Sequence, residues 1–418
     1  MKKSGDIAFY IIEGKSNEWL ISQLRNDDLA GFNFKLKDLK GEVFSNQTIQ
    51  YFLLEETRHD HFEVETPNHN PLISSSSGEQ RKALLYHLIK KKPGYIIVEN
   101  VFDSLDVASR QVIALTLQEI SLTTLIIQVF TRHQELLPFI DKVYTINETS
   151  VTACQFRQQF LNTEIINVIG RFTGTIPPPA TIYPTQIGEL IKMNNVTVTF
   201  DGRPVLKNIC WEIKPGEFWQ LTGPNGSGKS TLLSLITGNS PKAYGQELYL
   251  FGKLKGSGET VWQIKEKIGY FTPGITFQFE RLDTIEQMVI SGFLDSVGLY
   301  NKPTDLQIYL AGQWLKLIGM FEIKNQPFRM LPDGQQRMVL IARAMIKHPP
   351  LLILDEPVAG LNDDMATLFV SLINKIALET TTAILYVSHR EEEGLYPKLV
   401  FKLFPSDLGS TGRAVTSC

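Results

Sequence analysis

The chain has 418 residues, a formal net charge of −3 and 43% hydrophobic residues, which suits two domains with ordinary cores and gives no broad electrostatic footprint for nucleic acid. Cys154, Cys210 and Cys418 fit no metal or redox spacing, as expected of reduced thiols in a cytosolic protein. The apolar run after Asp6 is too short for a signal peptide, and no run reaches the roughly 18 residues of a transmembrane helix, so any membrane path must come from other chains.

In chain order, an apolar strand pattern first leads to Glu13-Gly14-Lys15-Ser16. Ser75-Ser76-Ser77-Gly78-Glu79-Gln80-Arg81 follows, a loop that opens a helix. Tyr95-Ile-Ile-Val-Glu99-Asn100 is an apolar strand ending in an acid and an amide. Ile176-Pro-Pro-Pro-Ala-Thr-Ile-Tyr-Pro184 cannot be helical, because proline fixes φ and removes a donor. It predicts an extended, semi-rigid linker over 166–188, separating a first domain (1–165) from a second (189–418).

In the second domain, Asn195–Phe200 alternates as a strand, Asp201-Gly202 turns the chain and Val205–Ile213 continues it. Phe218–Thr222 is a strand feeding Gly223-Pro224-Asn225-Gly226-Ser227-Gly228-Lys229-Ser230-Thr231, and a helix from there ends at Gly238. The stretch fits G-x-x-x-x-G-K-[ST] at every fixed position. Its glycines let backbone N–H groups turn inward around phosphates, and the helix N-terminus adds partial positive charge. Lys229 should reach the β- and γ-phosphates of ATP, and Ser230 should hold Mg²⁺.

Leu351-Leu-Ile-Leu-Asp355-Glu356 presents two acids at the C-terminal end of a buried strand, where an α/β sheet places ligand chemistry. Asp355 suits the Mg²⁺ shell, and Glu356, one residue on, can orient and deprotonate the attacking water. Leu331-Pro-Asp-Gly-Gln-Gln-Arg337 opens a helix to about Met345, and the strand Thr382–Val387 leads to Ser388-His389.

These elements in this order resemble the ATP-binding cassette (ABC) family over roughly residues 189–405. Gly256–Trp262, Ser291–Gly298 and Lys347–Asp355 are similar to the soluble tandem cassettes called photorepair-type or molybdate-transport-associated ATPases. The resemblance implies an α/β P-loop NTPase fold and ATP hydrolysis with ATP and Mg²⁺. It gives Phe200 the adenine-stacking role, Asp355 and Glu356 the Mg²⁺ and general-base roles, and His389 the γ-phosphate contact. Ala359-Gly-Leu-Asn362 resembles the loop that couples two sites, with Asn where Asp is usual. One position departs: the family's glutamine after Ile-Gly-Tyr-x-x is here Pro273, and Gln278, five residues on, is the candidate substitute.

The first domain resembles a truncated, degenerate copy of the second. Gly78 to Glu99 and Gly334 to Asp355 are both 21 residues, Glu99 to Asp106 and Asp355 to Asn362 both 7, and Glu99 to His133 and Asp355 to His389 both 34. Asn100 stands where the general base belongs, and an amide cannot accept a proton at neutral pH. Gly14-Lys15-Ser16 is the candidate remnant of a phosphate loop. Lys15 to Gly78 is 63 residues against 105 from Lys229 to Gly334, so about 40 are missing.

Family cassettes pair head to tail, each ATP lying between one phosphate loop and the other signature loop. That pairing would set Gly223–Thr231 against Ser76, Ser77, Gly78 and Glu79. The opposite pair, the Gly14–Ser16 remnant and Pro332-Asp333-Gly334, carries a carboxylate that repels phosphate. One competent site and one dead site are therefore expected, within one chain or, failing that, in a homodimer. The short proline-rich linker and mild acidity count against ribosome- or nucleic-acid-bound cassettes. A cytoplasmic ATP-binding subunit, peripheral to permease chains, and an ATP-switched regulatory protein remain the two readings.

Overall fold

The computed structural model describes residues 5–14, 17–32, 36–59, 62–66, 71–75, 77–103, 105–162, 172–180, 188–279, 282–296, 301–389 and 392–416. They form two units, Met1–Asn167 with Gly360–Ala366, and Val168–Ala359 with Thr367–Cys418.

Unit 1 runs β1 (Ile7–Gly14), α1 (Asn17–Asn26), β2 (Gly41–Phe44), α2 (Asn46–His59), α3 (Ser77–Lys90), β3 (Tyr95–Glu99), α4 (Val107–Ile120), β4 (Leu125–Phe130), β5 (Lys142–Glu148), β6 (Ser150–Phe156) and α5 (Arg157–Leu161). The strands make one sheet in the order β2-β3-β4-β1-β5-β6, parallel except for the β5–β6 pair. Alternate residues feed two cores, as the two-residue repeat of a strand requires. Phe9, Ile97, Ile127 and Val129 meet Leu20 and Leu24 of α1. Ala8, Ile96, Val98 and Phe130 join the core containing Leu84 and Leu88 of α3 and Ile113 of α4.

Unit 2 adds β7 (Ile191–Phe200), β8 (Arg203–Ile213), β9 (Phe218–Thr222), α6 (Lys229–Ile236), β10 (Leu248–Leu250), β11 (Lys253–Leu254), α7 (Val261–Lys265), β12 (Ile268–Phe271), α8 (Ile285–Ile290), α9 (Asp305–Leu317), α10 (Asp333–Met345), β13 (Leu351–Asp355), α11 (Asp363–Glu379), β14 (Ala383–Val387), β15 (Leu399–Phe404) and β16 (Thr411–Thr416). The first turn of α11 falls in unit 1 by this division. The main sheet, β12-β13-β14-β9-β15-β16, repeats the order of the unit 1 sheet strand for strand. A four-stranded antiparallel sheet, β11-β10-β7-β8, precedes and follows the phosphate loop in sequence. Its β7–β8 hairpin turns at Asp201 (φ 48°) and Gly202 (φ 77°), the handedness that matches strand twist.

Among the described residues unit 1 has no counterpart of that antiparallel sheet. Its shortening falls in two places. Fourteen residues join α1 to β2 where 31 join α6 to β12, and 32 join β2 to α3 where 61 join β12 to α10. Over 172–180, the described part of the expected linker, there is no helix or strand, and this stretch is not free of unit 2. Ile176 is buried, and its N–H donates to Glu379 Oε2 at 2.8 Å. Within unit 1, Asn362 Nδ2 donates to the Ile12 carbonyl at 2.7 Å, and the His133 N–H donates to Asp363 Oδ2 at 2.8 Å.

Candidate nucleotide site

β9 ends at Thr222 and α6 begins at Lys229, so the glycine-rich loop joins strand to helix as its sequence predicts. Gly228 needs to be glycine on two counts. Its φ is 90°, and a Cβ there would stand 2.7 Å from Leu206 Cδ2 on β8. Lys229 Nζ donates to the carbonyls of Gly223 (2.7 Å) and Pro224 (3.1 Å), which holds the ammonium inside the loop's curve. Ser227 Oγ is buried without a hydrogen-bond partner among the described residues. Phe200, the last residue of β7, keeps 40% of its surface exposed, with Lys242 Nζ 5.7 Å above its ring.

β13 lies between β12 and β14, and Asp355 pairs with Val387. Glu356 leaves the strand with φ 49° while its N–H still donates to the Val387 carbonyl at 2.9 Å. That turn lets Glu356 Oε1 meet His389 Nδ1 at 2.8 Å; the His389 side chain is nearly buried. Burial first, and then the adjacent Glu356 charge, push the Asp355 carboxyl up to about 6. Burial pushes the Tyr270 hydroxyl up, and that hydroxyl donates to Asp355 Oδ2 at 3.4 Å.

A cavity of about 390 Å³ is lined by Ser230, Tyr270, Thr272 and Asp355 and reaches Phe279 and Arg343. Neighbouring carboxylates beside a serine hydroxyl are a donor set suited to a hard cation that takes its remaining ligands from phosphate and water. Among the described residues no cluster of three His, Cys, Asp or Glu side chains could hold a metal unaided. Ser230 and Asp355 therefore fit Mg²⁺ in company with a nucleotide, not alone. Pro273 opens a 3₁₀ turn to Gln278, whose side chain lies outside the described residues.

On α10, Asp333 Oδ2 accepts from Arg337 Nη2 at 2.7 Å, and Arg337 Nη1 donates to the carbonyls of Pro357 and Ala359 at 3.0 and 2.6 Å. Arg81, likewise three residues after its glycine, makes long contacts to the carbonyls of Asn100 (3.4 Å) and Val101 (3.5 Å). The repeated arginine thus ties the helix to the loop after the acidic strand in both units. Gly78 is buried in the first turn of α3, where a Cβ would stand 2.9 Å from Ser109 Oγ, and Glu79 is half-buried. Ser77 begins α3, but Ser76 and the Ser77 side chain lie outside the described residues.

The strand ladders align the two units residue by residue. Val129 pairs with Glu99 and Phe9 as Val387 pairs with Asp355 and Leu221. From Phe9 to Asn17, where α1 starts, is eight residues, and from Leu221 to Lys229, where α6 starts, is also eight. Asn17 and Glu18 therefore stand at the positions of Lys229 and Ser230. The candidate remnant Gly14-Lys15-Ser16 lies just before them in sequence. β1 runs on to Gly14, and Lys15 and Ser16 lie outside the described residues.

The ladders do correct the His133 spacing. His133 lies four residues past Val129, whereas His389 lies two past Val387, so Thr131 is the ladder equivalent of His389. Two fewer residues between the strands and two more after them produced the equal count. The acid and amide positions hold. Asn100 has φ 40°, and its N–H donates to the Val129 carbonyl at 3.0 Å, as Glu356 does to Val387.

Strand, glycine loop and helix, with an acid pair ending a parallel strand two places along the same sheet, define a P-loop nucleoside triphosphatase. The ABC transporter family model matches residues 206–359. The chain is 36% identical over 328 residues to the ABC transporter ATP-binding protein ModF of Escherichia coli (strain K12), covering 76% of this chain and 67% of that protein. It is 30% identical over 329 residues to an uncharacterised ABC transporter ATP-binding protein of Schizosaccharomyces pombe, covering 77% and 66%. The matches thus span about two thirds of the length of these relatives. A chain of a structure described as ribosome-bound archaeal Pelota and ABCE1 shares the fold over 99% of this chain and 75% of its own, at TM-score 0.64 and 14% identity. The protein belongs to the ABC family and is an ABC-type ATPase with tandem cassettes. Among the described residues no helix is long and apolar enough to cross a membrane.

Proposed function

We propose that this protein binds and hydrolyses one Mg-ATP per chain, with the phosphates on Gly223–Thr231 and the base on Phe200. In this reading Lys229 binds the phosphates, Ser230 and Asp355 hold Mg²⁺, which neutralises phosphate charge, and Glu356 takes the proton of the attacking water. His389, bonded to Glu356, orients that carboxylate and contacts the γ-phosphate. Ser76, Ser77, Gly78 and Glu79 supply the signature loop that closes over the nucleotide, a role argued from the loop's sequence and the family's pairing mode.

The asymmetry of the two phosphate-loop positions carries the proposal. Lys229 and Ser230 stand near an Asp-Glu pair, while Asn17 and Glu18 stand near Glu99-Asn100. The first arrangement offers cations and hydroxyls to phosphate. The second offers carboxylates, which repel it. Lys229→Ala should abolish nucleotide binding and turnover, and Asn17→Ala should leave both within about twofold, as expected for a position that contacts no nucleotide. Equal losses from the two substitutions would contradict the assignment.

The ModF relationship supports a cytoplasmic ATP-binding subunit whose membrane-spanning partners are separate chains. Retention of Glu356 and His389 in hydrogen-bond contact supports turnover over a purely ATP-switched binding role. Capture of a membrane protein on ATP-locked Glu356→Gln protein tests the transport reading, and capture of ribosomes or of no partner would contradict it.

A further inference from the structure

The family's glutamine position is Pro273 here, and the side chain of Gln278, the candidate substitute, lies outside the described residues. The strand register shows what else on β12 reaches Asp355. Tyr270 on β12 pairs with Ile353 on β13, so Asp355, two residues on, lies on the same face as its diagonal neighbour. An aromatic side chain spans that diagonal, and the Tyr270 hydroxyl meets Asp355 Oδ2 at 3.4 Å. Both residues line the cavity that also contains Ser230. Thr272, two residues after Tyr270, lines the same cavity and is half-buried.

We propose that Tyr270 is the positioning residue that fixes the Asp355 carboxylate for the cation, with the Thr272 hydroxyl, next to Pro273, as a second polar group. The inference rests on the reading of Asp355 as a metal ligand. One hydroxyl hydrogen bond engages Oδ2 and leaves the second oxygen of the carboxylate for a cation. Outer hydrogen bonds of this kind orient a ligand and tune its affinity for metal. Without Tyr270, the Asp355 carboxylate would be free to rotate, and the cation would have to reorder it on binding.

The test uses the full chain and a fluorescent ATP analogue, titrated with Mg²⁺ and separately in EDTA. Tyr270→Phe keeps the ring and removes the hydroxyl. It should raise the Mg²⁺ concentration for half-maximal tightening about tenfold, the lower end for loss of an outer hydrogen bond, and leave metal-free affinity unchanged. Thr272→Val should raise it less. Asp355→Asn serves as the reference. If it raises the Mg²⁺ requirement while Tyr270→Phe does not, Tyr270 does not position the ligand. An equal loss of metal-free and Mg²⁺-supported binding in Tyr270→Phe would also overturn the proposal, by showing damage to the loop. If Asp355→Asn leaves the Mg²⁺ requirement unchanged, the assignment of Asp355 fails, and the inference with it.

Discussion

Asn17 donates through Nδ2 to Glu99 Oε1 at 2.7 Å, joining in unit 1 the two positions that Lys229 and Asp355 hold in unit 2. A neutral amide has replaced the cation, and it satisfies the acid directly. Burial pushes the Glu99 carboxyl up, and the charges of Asp103 and Glu18 add to the shift. The position has become a structural hydrogen bond, an amide where unit 2 has a cation.

That shift makes a stability prediction. With its pKa raised on folding, Glu99 holds its proton more tightly in the native state than in the unfolded chain. Its ionisation therefore costs stability as pH rises from the ordinary carboxylate range through the raised value. Glu99→Gln, which can still accept from Asn17, should stabilise the protein at neutral pH by about 0.5–2 kcal/mol. The gain should vanish near roughly pH 4, where the wild-type acid is protonated in both states. Denaturant unfolding at the two pH values checks it; a gain that persists at the lower pH would contradict it.

Restoring residues should not restore the site. Asn17→Lys with Glu18→Ser returns the cation and hydroxyl, but β1 still runs on to Gly14 where unit 2 has its loop, and no antiparallel sheet is described in unit 1 to carry a base-stacking aromatic. Equilibrium dialysis with Mg-ATP should find no added nucleotide in this variant. A second equivalent would show that side chains alone had silenced the position.

The fold was largely legible in the sequence. Four apolar positions before Asp355 could only be a buried strand, and the turn at Asp201-Gly202 declared its hairpin. The phosphate loop was legible because glycine is required where Gly228 meets Leu206. Counting along the chain was less reliable than the sheet register. The equal spacing to His133 and His389 conceals two compensating length changes. Tyr270 went unassigned because its relation to Asp355 is a diagonal across two strands, set by pairing that no local pattern reveals. Ile176 shows the same limit: proline content predicted its extended backbone but not its burial.

Within unit 2, Gly228→Ala forces both a positive φ and a clash with Leu206. It should distort the loop and weaken ATP binding by at least tenfold, about 1.4 kcal/mol or more, since strained backbone positions of this kind cost about 1–3 kcal/mol. Calorimetric titration with ATP measures it; wild-type affinity would show that the loop can relax away from β8.

His389→Ala removes the partner of Glu356. Turnover should fall about 10²–10⁴-fold, the usual range for losing a group that works with a general base, while ATP binding persists. Steady-state hydrolysis alongside nucleotide retention separates the two effects. Unchanged turnover would detach His389 from the chemistry.

Gly78→Asp places a carboxylate in the signature loop of unit 1, one residue on from the place that Asp333 holds in unit 2. Ser76→Arg places bulk two residues earlier. Either should abolish turnover and leave ATP affinity within about threefold, since the primary contacts are on Gly223–Thr231. Retained turnover would show that this loop does not close the competent site.

The central claim, one working site per chain, is tested most directly by counting tightly bound nucleotide in Glu356→Gln protein with Mg-ATP. The substitution stops proton abstraction and leaves the binding groups in place. The account predicts about one ATP per chain, lost on Lys229→Ala and unaffected by Asn17→Ala, as expected of a single phosphate-binding loop. Two tightly bound ATP molecules per chain would contradict it.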